Sequence, residues 1–127
     1  MAQDFLGLFQ DRNDGIRLSP GAVLFEKGDP GDCMYVVRSG QLQISDGDVI
    51  YEVVSPGGLV GEMAIVDGLP RSAAVRALTE AEVIPVSQES FLLTIQQSPF
   101  FAIRMMQVLS QRLRAMDELV TRLGPAA

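Results

Sequence analysis

The chain has 127 residues, a formal charge of −6, no histidine and a single cysteine, Cys33, which excludes an internal disulfide, the usual zinc sites and every histidine-dependent triad. Ten basic residues against sixteen acidic ones form no basic face of the kind that displaces nucleic-acid counterions, so no nucleic-acid partner is expected. With 47% apolar and 20% charged residues, no apolar run long enough for a bilayer and no basic region ahead of the first apolar residues, the sequence predicts one cytoplasmic domain with its own core and no membrane partner.

Taken in chain order, the first apolar stretch runs from Asp4 to Arg12. From about residue 16 to 86 the sequence runs in short apolar segments broken by glycine, proline and aspartate, as in "AVLFEKGDPGD", "CMYVVRSG" and "VIYEVVSPGG". Strands of this length at such close turn spacing predict an all-β barrel or sandwich. Gln41-Leu42-Gln43-Ile44 alternates, with one face expected wet and the other buried. Asp46-Gly47 is the expected hairpin turn before Val49, because glycine accepts a positive φ.

After Val86 the pattern becomes helical. Ser87 and Ser98 are candidate N-caps, the second followed by Pro99 at a first helical position, where a missing N–H costs nothing. From Pro99 to Leu123 there is no internal Gly or Pro, and Gly124-Pro125 is a stop signal. Met106, Leu109, Leu113, Met116, Val120 and Leu123 recur at steps of three and four, the pattern of a helix seam. Such a stripe packs on the β part of the same molecule or forms a seam with a homodimer mate or another protein.

The chemistry concentrates in "GEMAIVDGLPRSAAV". Gly57, Gly58 and Gly61 let the backbone turn sharply, and "EMAIV" has the composition of a single helical turn whose first amides are uncovered and attract an anion. Nine positions after Glu62 comes Arg71, followed by Ser72, Ala73 and Ala74, whose small side chains allow close approach to the backbone. A guanidinium fork with amide donors suits a phosphate oxyanion. Glu62 would repel that anion and must accept from something neutral, and a ribose hydroxyl fits. A 3′,5′-cyclic nucleotide leaves only its 2′-OH free and carries one negative charge, so one acceptor and one arginine match its two polar ends. Nucleoside triphosphates fit worse, since the only lysine is Lys27 and no phosphate-cradling G-x-x-x-x-G-K-[ST] loop is present.

At these residues the sequence resembles the cyclic nucleotide-binding domains of the catabolite activator protein, the regulatory subunit of protein kinase A and cyclic-nucleotide-gated channels. Their phosphate-binding cassette, G-E-[LIM]-A followed by P-R-[TSA]-A, is matched by Gly61-Glu62-Met63-Ala64 and Pro70-Arg71-Ser72-Ala73. The upstream pattern is matched by Gly28-Asp29, Gly31-Asp32, Tyr35-Val36-Val37 and Gly40. The resemblance implies a mainly β fold with flanking α, an eight-stranded jelly-roll β-roll over about 16–86 followed by C-terminal helices over about 88–123. It implies that Glu62 accepts from the ribose 2′-OH, Arg71 pairs with the cyclic phosphate, and the amides of Ala64 and Ala73 donate to its oxygens. Gly61 would keep the turn open, Met63 would complete the cassette and Ser72 would sit beside phosphate or base. The ligand would be cyclic AMP, favoured by Ser72, or cyclic GMP, with no metal, no other cofactor and no catalysis. Because the closing helix stops at Leu123, the lid over the base is expected to be short or supplied by a second subunit, and no output domain is expected. The alternatives are a degenerate roll kept as an interaction scaffold and, without the metal-binding histidines it needs, an enzyme of the cupin kind.

Overall fold

The turn residues partition the chain as their chemistry demands. The computed structural model describes residues 5–9 and 11–123, so Asp4, Gln10 and the Gly124-Pro125 stop lie outside the described residues. A one-turn helix α1 (Leu6–Phe9) precedes strands β1 (Ile16–Leu18), β2 (Val23–Phe25), β3 (Cys33–Ser39), β4 (Leu42–Asp46), β5 (Val49–Val54) and β6 (Leu59–Val60). Helix α2 (Glu62–Asp67) interrupts the strands before β7 (Ala74–Ala77) and β8 (Ala81–Ser87), and helices α3 (Gln88–Gln97) and α4 (Pro99–Leu123) follow. The chain divides into two compact units between Leu92 and Leu93.

In the first unit the eight strands form two four-stranded antiparallel sheets, ordered β1-β8-β3-β6 and β2-β7-β4-β5. That interleaving is the jelly-roll order, and it resolves the barrel-or-sandwich alternative into the expected β-roll. Both sheets send side chains into one core, including Leu18, Val37, Val60 and Val83 from the first and Phe25, Leu42, Val54 and Val75 from the second. Full burial of each such side chain contributes about 1.5–3 kcal/mol. Pro85 sits in β8 because β1 pairs only with Ala81 to Val83, so no neighbour on that edge asks for the missing N–H. Its carbonyl accepts from Arg12 Nη2 at 2.9 Å, which fastens the segment ahead of β1.

Two local expectations are corrected. The β4–β5 register pairs Asp46 with Val49, so the turn is Gly47-Asp48, one residue later than expected, with Gly47 at φ 59°. Gln43 does not face water: it is 7% exposed, because its register partner Arg76 on β7 donates Nε–H to its Oε1 at 3.0 Å. A polar side chain on the outer face is buried here by a hydrogen-bonded neighbour.

Ser87 caps α3 as expected, accepting from Ser90 N at 3.1 Å through its hydroxyl. In the second unit α4 begins at Pro99, and its first turn is closed by Phe101 N donating to Ser98 O at 2.9 Å. Phe101, Met105 and Val108 of this helix are buried, whereas the seam residues Met106, Leu113, Val120 and Leu123 are each more than half exposed.

Candidate functional site

The cassette begins where β6 ends. Gly61 has φ 78° and ψ 13°, a left-handed conformation that side chains rarely adopt, and it turns the chain from β6 into α2. Glu62 opens the helix and is 3% exposed; Met63 is 45% exposed, while Ala64 and Ile65 are buried. Gly68, at φ 68°, ends the helix with its N–H on the Ala64 carbonyl, as a left-handed C-cap does. Asp67 then accepts from Leu69 N at 2.9 Å, shaping the turn that delivers Pro70 and Arg71.

Arg71 is held from its backbone outward. Its N–H donates to Asp29 O and its carbonyl accepts from Gly28 N, both at 2.8 Å, so the Gly28-Asp29 turn between β2 and β3 clasps it like a short strand. The side chain points inward and is 5% exposed. Nη1 donates to Gly61 O at 3.0 Å and Nη2 to Cys33 O at 2.8 Å. Both acceptors are neutral carbonyls, so these bonds orient the guanidinium without neutralising it. The guanidinium lies over the Phe25 ring, with Cζ 4.1 Å from the centroid, and the Tyr35 ring stands further off at 5.9 Å. Its Nε is buried without a hydrogen-bond partner.

Two glycines leave room for this arrangement. A Cβ on Gly61 would come within 2.6 Å of Nη1, and a Cβ on Gly31 would lie 2.9 Å from both Nε and Cζ and 2.5 Å from the Ala64 methyl. Glycine at position 31 therefore leaves the space beside Nε and Cζ that a side chain there would take. Burial, together with a bond to the Cys33 thiol, pushes the Tyr35 hydroxyl up to about 12, so the ring beside Arg71 stays neutral.

Glu62, Ala64, Arg71 and Ala73 are buried and Gly61 is half-buried, and of these Gly61 meets Arg71 directly through its carbonyl. Ser72 is exposed, and its hydroxyl meets Met63 Sδ at 3.7 Å, a weak contact between the two cassette halves. Sequence reasoning missed Phe25 and the Cys33 carbonyl as partners of Arg71, and it took Gly31 only as part of a pattern. A separate hollow of about 560 Å³, lined by Val23, Gln43, Ser45, Ile50 and Arg76 among others, contains none of the cassette residues 61–73. Among the described residues no cluster of His, Cys, Asp or Glu could hold a metal ion, and no helix is long and apolar enough to cross a membrane.

Residues 16–98 match the family model of the cyclic nucleotide-binding domain. The cyclic AMP receptor protein of Thermus thermophilus is 32% identical over 107 residues, covering 80% of this chain and 50% of that protein. The cAMP-dependent protein kinase regulatory subunit of Emericella nidulans is 36% identical over 83 residues, covering 64% of this chain and 20% of that one. The chain thus spans half or less of the length of these curated relatives. Among solved structures, the Thermus thermophilus catabolite activator protein superposes with a TM-score of 0.75 at 28% identity, covering 87% of this chain and 54% of its own. With the family model spanning most of the sequence, the chain belongs to the cyclic nucleotide-binding domain family.

Proposed function

We propose that the protein is a sensor that binds a 3′,5′-cyclic nucleotide, cyclic AMP in preference to cyclic GMP, without catalysing a reaction on it. The observation that carries this reading is Arg71: a guanidinium buried to 5% exposure, oriented by two uncharged carbonyls, with a buried N–H left without an acceptor. A buried donor without a partner costs about 1–3 kcal/mol, and a bound oxyanion removes that cost. The cyclic phosphate is the anion of matching charge, with the amides of Ala64 and Ala73 donating to its remaining oxygens.

Glu62, buried at the first position of α2, accepts from the ribose 2′-OH. Its carboxyl oxygens and the guanidinium of Arg71 meet opposite ends of one small ligand, one as an acceptor for the sugar and the other as the charge for the phosphate. Gly61 and Met63 shape the turn and first helical positions around the sugar and phosphate, and Ser72 lies at the mouth beside phosphate or base. The preference for adenine rests on Ser72 after the arginine and on the Thermus relative, whose name records cyclic AMP. The signal leaves through the exposed seam of α4, which is taken by a second copy of the chain or by another protein.

A thermal-shift titration with cyclic AMP and cyclic GMP tests the reading. A saturable rise in the unfolding midpoint, larger for cyclic AMP, is expected, because a ligand that binds only the folded state stabilises it by mass action. No shift with either nucleotide at millimolar concentration would instead favour a ligand-free scaffold.

A further inference from the structure

We infer that Phe25 is a positioning residue for Arg71, its ring holding the guanidinium where the anion of the ligand meets it. This rests on the reading of the cassette as a cyclic nucleotide site and adds a determinant of phosphate affinity outside the cassette.

Phe25 reaches Arg71 through an irregularity in the sheet. In the β2–β7 ladder Val23 pairs with Arg76, yet Phe25 pairs with Val75, so the register slips by one residue between them. A bulge of this kind re-aims a side chain. Phe25 is 9% exposed while Val23, two positions earlier, is 51% exposed. The re-aimed ring lies against the core through Val75 and stacks on Tyr35, with centroids 6.2 Å apart and planes at 28°. Its edge reaches the Gly61 turn, where Cε2 stands 3.3 Å from the position of an added Cβ. One rigid side chain therefore joins the core, the cassette turn and the guanidinium.

The two carbonyls hold Nη1 and Nη2 at 3.0 and 2.8 Å, and the ring adds a third point of contact at Cζ. The Phe25 ring, with its centroid 4.1 Å from Cζ, holds the guanidinium by attraction as well as by contact, since the negative face of the ring draws the cation. Arginine has several rotatable bonds, and holding them before the ligand arrives lowers the ordering cost of binding. An aliphatic side chain of similar size would fill the space without drawing the cation. The stack is desolvated, the condition in which such an attraction is largest.

The test separates attraction from packing. Phenylalanines with one, two and three ring fluorines, installed at position 25, weaken the negative ring face in steps at almost constant volume. Cyclic AMP is titrated calorimetrically into each folded variant, with the thermal midpoint followed as a control. The dissociation constant is expected to rise stepwise, by about fivefold or more at three fluorines, with each variant still folded at the titration temperature, and the series is expected to be flat in an Arg71→Ala background, where whatever weak binding remains is titrated. Binding by the parent that stays constant across the series overturns the role of Phe25 and leaves the site reading standing. Absence of binding by the parent overturns the site reading itself, and the role of Phe25 with it.

Discussion

The carbonyl of Gly61 accepts from Arg71 Nη1 at 3.0 Å, and a side chain on that same glycine would stand 2.6 Å from the same nitrogen. The turn into α2 and the seat of the guanidinium are thus one construction. Gly61→Ala is expected to strain a left-handed backbone and push Arg71 aside, costing about 1–3 kcal/mol of stability. Chemical denaturation alongside nucleotide titration checks this: both stability and affinity should fall. A variant as stable and as tight-binding as the parent would show that the glycine is not required there.

Glu62 is buried at the start of α2, and we propose that it meets the ribose. Glu62→Gln keeps an oxygen that accepts from a hydroxyl, so its affinity should fall by less than that of Arg71→Ala. The 2′-deoxy analogue should bind the parent more weakly than cyclic AMP by about 0.5–1.5 kcal/mol, the net worth of one hydrogen bond, should keep part of that penalty in Glu62→Gln, and should lose little further in Glu62→Ala, which removes the acceptor. Equal binding of the two nucleotides to the parent would remove the sugar assignment.

Tyr35 supplies a pH signature. Burial, then its bond to the Cys33 thiol, raises its hydroxyl from an ordinary 10.0 to about 12. The unfolded chain therefore releases this proton first, so the contribution of Tyr35 to stability is intact below pH 10, declines above it and is lost as pH passes through about 12. A near-ultraviolet absorbance titration of Tyr51→Phe, with circular dichroism to confirm that the fold persists, should place the midpoint well above 10. A midpoint at the ordinary value would mean that the ring beside Arg71 is solvated.

The exposed seam of α4 predicts association. Met106, Leu113 and Val120 lie seven residues apart and are each more than half exposed, the spacing at which a second helix meets the same face. Sedimentation should show a dimer for the parent and a monomer for Leu113→Glu, whose carboxylate would be desolvated in the seam. A parent that is monomeric at every concentration would exclude the second copy and leave a different protein as the partner.

Much of this architecture is written locally. Gly-Asp turns delimit the strands, Ser87 announces α3 with a hydroxyl that indeed reaches Ser90 N, and Pro99 opens α4. The two halves of the cassette are also legible, since each is a short run with its own turn chemistry. What surrounds Arg71 is not. Phe25 lies 46 positions earlier in the chain and reaches the guanidinium only because the β2–β7 ladder slips by one residue. No local pattern encodes that slip. The Cys33 carbonyl is a backbone group and leaves no trace in residue identity, and the burial of Gln43 depends on which side chain stands opposite it on β7. Periodicity reports which face a residue occupies, and long-range pairing decides what covers it.

The most direct measurement is a calorimetric titration of cyclic AMP into the parent protein and into Arg71→Ala. Truncating one partner of a buried charged pair costs about 2–5 kcal/mol, so the parent should bind at a single site and the variant should be weaker by on the order of thirtyfold to several thousandfold. A parent that evolves no binding heat, or a variant within tenfold of it, would contradict the account.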